Sequence, residues 1–189
     1  MMSLIRFYNK HIGIPQRINF LSAKLSFYLN KYNYVLDLGS SNGQLAKKIQ
    51  DNTNVKFIGV DKKVQKVTYL EVVEYDGLKL PFKDKTFDCV MLIDVLHHDV
   101  NPVNILKEAK RVSKKHILIK DHYFDNYFDL FILKWFDFVG NKPYGINLPY
   151  NYLNRTQWDG LFKKIKLKKL NCEYFTQRFC KHAIYRLEK

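Results

Sequence analysis

Arginine is scarce in this chain. Of 32 basic residues only six are Arg (Arg6, Arg17, Arg111, Arg155, Arg178 and Arg186), and against 18 acidic residues the net charge is +14. Such a charge suits a nucleic-acid or anionic-membrane partner. Specific phosphate and base recognition, however, leans on the bidentate Arg fork, and lysine spread along the sequence beside abundant Asn, Ile, Phe and Tyr also fits AT-rich coding. The densest run, Lys163 to Lys169, alternates basic with apolar residues in its second half. A half-buried strand with a solvated lysine face accounts for it more readily than a nucleic-acid patch.

Cysteine is equally sparse: Cys89, Cys172 and Cys180 are odd in number, widely spaced and form no Cys-x-x-Cys pair. That excludes a disulfide framework and implies inert thiols in a reducing compartment. Apolar runs long enough to cross a bilayer are lacking, and Met1 to Asn30 has neither a continuous apolar core nor a small-residue cleavage site, so a cytoplasmic location is the expectation. At 189 residues, with 47% hydrophobic and 15% aromatic content, a single domain with a real core is expected.

Short apolar runs alternate with polar or helical connections: Tyr34 to Leu38, Val55 to Val60, Val67 to Glu74, Phe87 to Ile93 and Lys115 to Lys120. Such alternation predicts a parallel sheet covered by helices. The connection between Asp61 and Asp76 is too short and too aperiodic for a full crossover helix, so the helix after strand two should be one turn or missing. Ahead of the sheet, Pro15 divides two helical pieces; the second, Gln16 to Lys31, places Phe20, Leu21, Leu25 and Leu29 near one face. Tyr123 to Val139 is too apolar for an ordinary surface helix, and burial on the sheet is the first reading, a wall of an apolar pocket the second, membrane contact the third. The loop Gly140 to Asn154 holds Pro143, Gly145 and Pro149 beside Tyr144, Tyr150 and Tyr152 and suits a substrate lid. Thr156 to Asp159 reads as a capping box opening a short helix, and Lys166 to Phe175 with Arg178 to Leu187 as a closing antiparallel hairpin.

Val35-Leu36-Asp37-Leu38-Gly39-Ser40-Ser41-Asn42-Gly43 ends an apolar run with an acid and two glycines, then opens a helix. Glycines at a strand-to-helix turn admit backbone angles closed to other residues and let a ligand approach the free N–H groups of the helix. The spacing is not Gly-x-Gly-x-x-Gly. It resembles motif I of the class I S-adenosylmethionine-dependent methyltransferases, with Ser41 in place of the middle glycine. Phe57-Ile58-Gly59-Val60-Asp61, Tyr75-Asp76-Gly77-Leu78-Lys79-Leu80-Pro81-Phe82, Phe87 to Val90 with its preceding Lys85-Thr86, and Asp94-Val95-Leu96-His97-His98 follow in the family's order, as do Asn104 to Val112 and His116 to Lys120. The resemblance covers roughly Tyr34 to Lys120 and thins beyond.

The resemblance implies a doubly wound, mostly parallel seven-stranded sheet of Rossmann-like type, ending in an antiparallel hairpin. The expected division is an N-terminal helical cap over residues 1–33, a cofactor-binding core over 34–122, a substrate and lid region over 123–158, and the closing helix and hairpin over 159–189. It further implies S-adenosyl-L-methionine as cofactor, S-adenosyl-L-homocysteine as its product, and cofactor contacts from Asp37, Gly39, Ser41, Gly43, Asp61, Asp76, Gly77, Leu78 and Asp94. Asp37 and the glycines would take the methionine moiety, Asp61 the ribose, and Asp76 with the Leu78 backbone the adenine. His97, His98 and His122 are the candidate bases, with Asp94 or Asp121 as orienters; each also has a plain role in shaping the pocket, and Lys120 and Asp121 read as a neighbouring ion pair. Asp94, His97, His98 and His122 could instead hold a metal, but adjacent side chains diverge on a helix or strand, and no metal is expected. The acceptor is expected to be a small, partly apolar or aromatic molecule. No Asn-Pro-Pro-Tyr or Asp-Pro-Pro-Tyr follows strand four, which counts against base-amino methylation. An RNA or protein methyltransferase using the basic surface, and a cofactor-binding protein that has lost transfer, remain the competing readings.

Overall fold

The computed structural model describes residues 9–141 and 148–189; the expected lid residues Pro143, Tyr144 and Gly145 lie outside them. The chain forms two compact units that divide between Tyr75 and Asp76.

In the first unit, α1 spans Ile14–Leu29 with Pro15 in its first turn, where a missing N–H has no intrahelical partner to lose. Pro15 thus opens the second of two helical pieces, the first being the π-helical Asn9–Gly13, as the sequence suggested. Its inward face is Ile18, Leu21, Ser22, Leu25 and Leu29, whereas Phe20, one step of about 100° around the helix from Leu21, is exposed. Strands β1 (Tyr34–Leu38) and β2 (Lys56–Asp61) pair in parallel through α2 (Gln44–Asp51). β3 is only Val72–Glu74, also parallel to β2. No helix separates β2 from β3, as the short connection required, and the strand expected from Val67 begins five residues late. Val67 and Tyr69 stand exposed instead.

In the second unit, β4 (Phe87–Ile93), α3 (Pro102–Val112) and β5 (Ser113–Phe124) form a parallel crossover. β5 has twelve residues, twice the expected Lys115 to Lys120, because β8 (Cys180–Glu188) pairs with it antiparallel from His116 to His122. β7 (Lys168–Gln177) completes the antiparallel hairpin with β8. The two-residue β6 (Leu153–Asn154) adds to the far end of β5. Helix α5 (Arg155–Lys164) opens on a capping box of Asn154 and Gln157. The box sits two residues before the expected Thr156 and Asp159 because Asn154 already has the extended conformation that an N-cap needs. Two of the scarce arginines act as structural forks. Arg111 bonds Glu108, Asp84 and the carbonyls of Leu80 and Phe82, and Arg155 bonds Asp125 while its guanidinium lies 4.8 and 4.3 Å from the rings of Tyr123 and Tyr174.

Helix α4 (Tyr127–Asn141) overturns the burial reading. Leu133 and Asp137 turn inward, Leu133 packing with Tyr152 and Cys180, while Tyr127, Phe128, Phe131, Trp135 and Phe138 are exposed. At 3.6 residues per turn these five fall within one stripe of about 100°. The apolarity of this segment therefore lies largely on its solvent side.

Candidate functional site

The loop after β1 carries candidate residues of the first unit. Gly39, Ser41 and Gly43 have φ of 81°, 54° and 74°, the left-handed region that glycine enters freely and serine only at a cost. Ser41 thus keeps the conformation of the glycine it replaces, and its N–H donates to Asp61 Oδ2 at 2.7 Å. Gly39 N and Ser40 N both donate to the Val60 carbonyl, joining the loop to the end of β2. Approach of the loop to β2 needs a glycine at 59, where a Cβ would lie 2.5 Å from Ser40 Oγ. Gly43 itself has no side chain to cap α2, and Asn42 Oδ1 accepts from Gln44 N at 3.2 Å, so the helix start keeps its partial positive charge with one N–H already taken. Asp37 is buried on β1, and burial, then the Asp61 charge, push its carboxyl up to about 7 against the opposing pull of Arg17. A buried acid near neutrality beside a helix start of partial positive charge suits a ligand with a cationic amine and an anionic carboxylate. The Asp61 Oδ1 atom, with only a 3.4 Å contact to Lys63 N, suits ribose hydroxyls. These residues fit a nucleoside amino acid such as S-adenosylmethionine.

In the second unit, Asp76 Oδ1 accepts from Leu78 N at 2.8 Å and Lys79 N at 3.0 Å, bonds that lower its pKa. The Leu78 carbonyl accepts from Asn104 Nδ2. Gly77 has φ 81° between them. The Leu78 backbone, expected with Asp76 at an adenine, has its N–H bonded to Asp76 and its carbonyl to Asn104, and Leu78 presents its exposed side chain.

The remaining candidates converge where β4 and β5 end. Asp94 follows β4 at φ 56°, and both its carboxylate oxygens accept from Lys120 Nζ, at 2.6 and 2.8 Å. Lys120 and Asp121, neighbours on β5, are not partners, since successive strand residues point to opposite faces. Asp121, fully buried, accepts from His97 Nδ1 at 2.5 Å, His122 N at 2.7 Å and Leu96 N at 3.1 Å. Burial alone would raise Asp121 and lower His97; the charge and hydrogen bond of each partner reverse both trends, so Asp121 stays ionised and His97 is raised. Burial lowers His98 and His122, with His97 adding to it, and takes His182 down to about 2. Of the four imidazoles, His97 alone is shifted toward the protonated form. His122 Nδ1 lies 3.4 Å from Asp94 Oδ1.

Adjacent His97 and His98 were expected to diverge. They sit instead in a 3-10 turn, Leu96–His98, with ring centroids 4.0 Å apart. The Tyr152 ring stacks on His97 at 5.1 Å, and its phenol bonds Asp137 and is raised by burial and by that carboxylate. His182 lies 4.3 Å from His122, ring to ring. Sequence reasoning missed Asp137 and His182, and expected Tyr152 only as part of a substrate lid. Asp137 was hidden in an apolar segment, and His182 carries only the alternation of β8, although its register opposite His122 follows once the hairpin is placed.

Residues 36–119 match the family model described as "Methyltransferase domain". An uncharacterized protein of Methanocaldococcus jannaschii is 38% identical over 85 residues, which are 42% of this chain and 39% of that protein, so the likeness spans well under half of that relative's length. A solved protein of Pyrococcus horikoshii is 22% identical, with 94% of this chain and 91% of that one covered and a TM-score of 0.74. The magnesium protoporphyrin IX methyltransferase of Synechocystis, solved with bound SAH, is 13% identical, with 94% and 84% covered and a TM-score of 0.65. At these identities the solved structures establish the fold.

Proposed function

We propose, from the match of residues 36–119 to a methyltransferase-domain model and from the fold shared with solved methyltransferases, that the chain is a class I, S-adenosylmethionine-dependent methyltransferase acting on a small molecule that is apolar or aromatic in part. The observation that carries the cofactor half is the loop 39–43, held in left-handed backbone angles between buried Asp37 and the Asp61 carboxylate. Asp37, Gly39, Ser41 and Gly43 would hold the methionine part and Asp61 the ribose. Asp76 and Gly77 shape the turn that offers the Leu78 side chain to an adenine. The sulfonium methyl is already electrophilic, so the protein's task is to align an acceptor and, for a hydroxyl or charged amine, to take a proton.

His122 is the base this reading prefers. It is neutral and partly exposed, and Asp94, fixed by Lys120, stands beside it. His97 is oriented by its bond to Asp121, which also raises its pKa, and has a positioning role. His98 is neutral and stands next to it. The aromatic side chains of α4 and of Tyr150 and Tyr152 support a partly apolar acceptor.

The test is calorimetry with S-adenosylmethionine and with its demethylated product, followed by a panel of small acceptors. Binding of both, weakened by about 1–3 kcal/mol in Asp61→Ala through loss of charge-assisted bonds, is the expected result; unchanged affinity in that variant contradicts the assignment. Binding without product formation would favour a silent cofactor-binding protein. Salt-sensitive retention of RNA would favour a nucleic-acid acceptor, a reading against which the structural use of Arg111 and Arg155 already weighs.

A further inference from the structure

Two groups of titratable side chains in the second unit bring their ligand atoms within 4.8 Å of one another: Asp94, His97, Asp121 and His122, and separately His97, His98 and Asp137. The first is satisfied internally. Lys120 covers both oxygens of Asp94, Asp121 accepts three hydrogen bonds, and the buried ammonium would repel a cation. The second is different.

We propose that His97, His98 and Asp137 form a divalent transition-metal site of His-His-Asp type, suited to Zn²⁺ or Co²⁺. Its donors come from a 3-10 turn and from the buried face of α4. His97 Nδ1 is already bonded to the Asp121 carboxylate at 2.5 Å, which fixes the ring and leaves Nε2 for a metal. A carboxylate behind an imidazole is the usual support of a metal-bound histidine. Asp137 has matching support from the Tyr152 phenol, whose ring also stacks on His97. His98 has a buried Nδ1 with no hydrogen-bond partner and Nε2 at 4.0 Å from Asp137 Oδ1, so either turn of its ring offers a nitrogen.

Two neighbouring imidazoles and one carboxylate are the ligand types that bind these ions at about 2.0–2.2 Å, and tetrahedral geometry then sets ligand atoms about 3.4 Å apart. His98 and Asp137 need to close from 4.0 Å by only a few tenths of an ångström each. Three protein ligands leave a fourth position for water or for an oxygen of a bound molecule. The site stands on its own donors and does not depend on the methyl-transfer reading, so metal uptake and cofactor binding succeed or fail separately.

The experiment is a Co²⁺ titration of the untagged, EDTA-treated full chain, read by the visible d–d bands of low-coordinate cobalt, with Zn²⁺ as competitor and thermal stability as a second readout. One equivalent should bind, Zn²⁺ should displace it, and Zn²⁺ should raise the melting temperature. His98→Gln and Asp137→Asn should each weaken uptake tenfold or more, and Tyr152→Phe less, while His116→Gln leaves it unchanged. Absence of saturable uptake, or uptake that survives His98→Gln and Asp137→Asn, overturns the proposal. Should Asp137→Asn fail to fold by circular dichroism, His98→Gln alone decides the outcome, since that ring is partly exposed and its loss leaves no buried charge.

Discussion

Asp37 shows how much of a site a single residue can set. A carboxyl raised to about 7 is half protonated near neutrality, and the neutral form is the one the buried position favours. The stability it supports is complete below its unfolded value of about 3.9 and is lost as pH rises through about 7. A cationic amine bound beside it reverses the preference. Affinity for S-adenosylmethionine should therefore increase as pH rises toward 7 and level off above it, with proton release on binding. Calorimetry in buffers of different ionisation heat measures this, and Asp37→Asn should remove the pH dependence. The acid's presence was legible from its place before Gly39, but its protonation was not, because that depends on Asp61 and Arg17 meeting it across the fold. Ser41 is the converse case: the sequence departs from the expected glycine while the backbone does not. Adjacency pairs Lys120 with Asp121, and strand geometry gives them separate partners.

Among the elements, those fixed by short-range physics were the most legible. β1 and β4 fall on their expected residues, and the missing helix after β2 followed from chain length alone. Elements whose extent depends on a distant partner were not: β5 doubles in length because β8 pairs along it, and β3 shrinks. The start of α5 was misplaced because two capping boxes overlap in the sequence, and only the conformation of Asn154 decides between them. Asn154→Ala should remove the acceptor for Gln157 N and cost about 1 kcal/mol, seen as a lower denaturation midpoint at unchanged slope. Thr156→Ala and Asp159→Ala should leave that midpoint nearly untouched.

For the molecule as a whole, apolar composition was read correctly as enough for a core but wrongly as a guide to where one particular helix would lie. Periodicity reports faces, and a helix with aromatic side chains all round does not declare which one water sees. Six rings of α4 stay in solvent, Phe136 with the five of the stripe, and covering each would yield on the order of 2 kcal/mol. A surplus of fourteen positive charges keeps copies apart in dilute buffer, but that repulsion fades as ionic strength rises, while sulfate strengthens apolar association. The chain should therefore salt out early and bind a phenyl column at modest ammonium sulfate, and Phe131→Ser with Trp135→Ser should shift elution to markedly higher sulfate without altering the melting temperature.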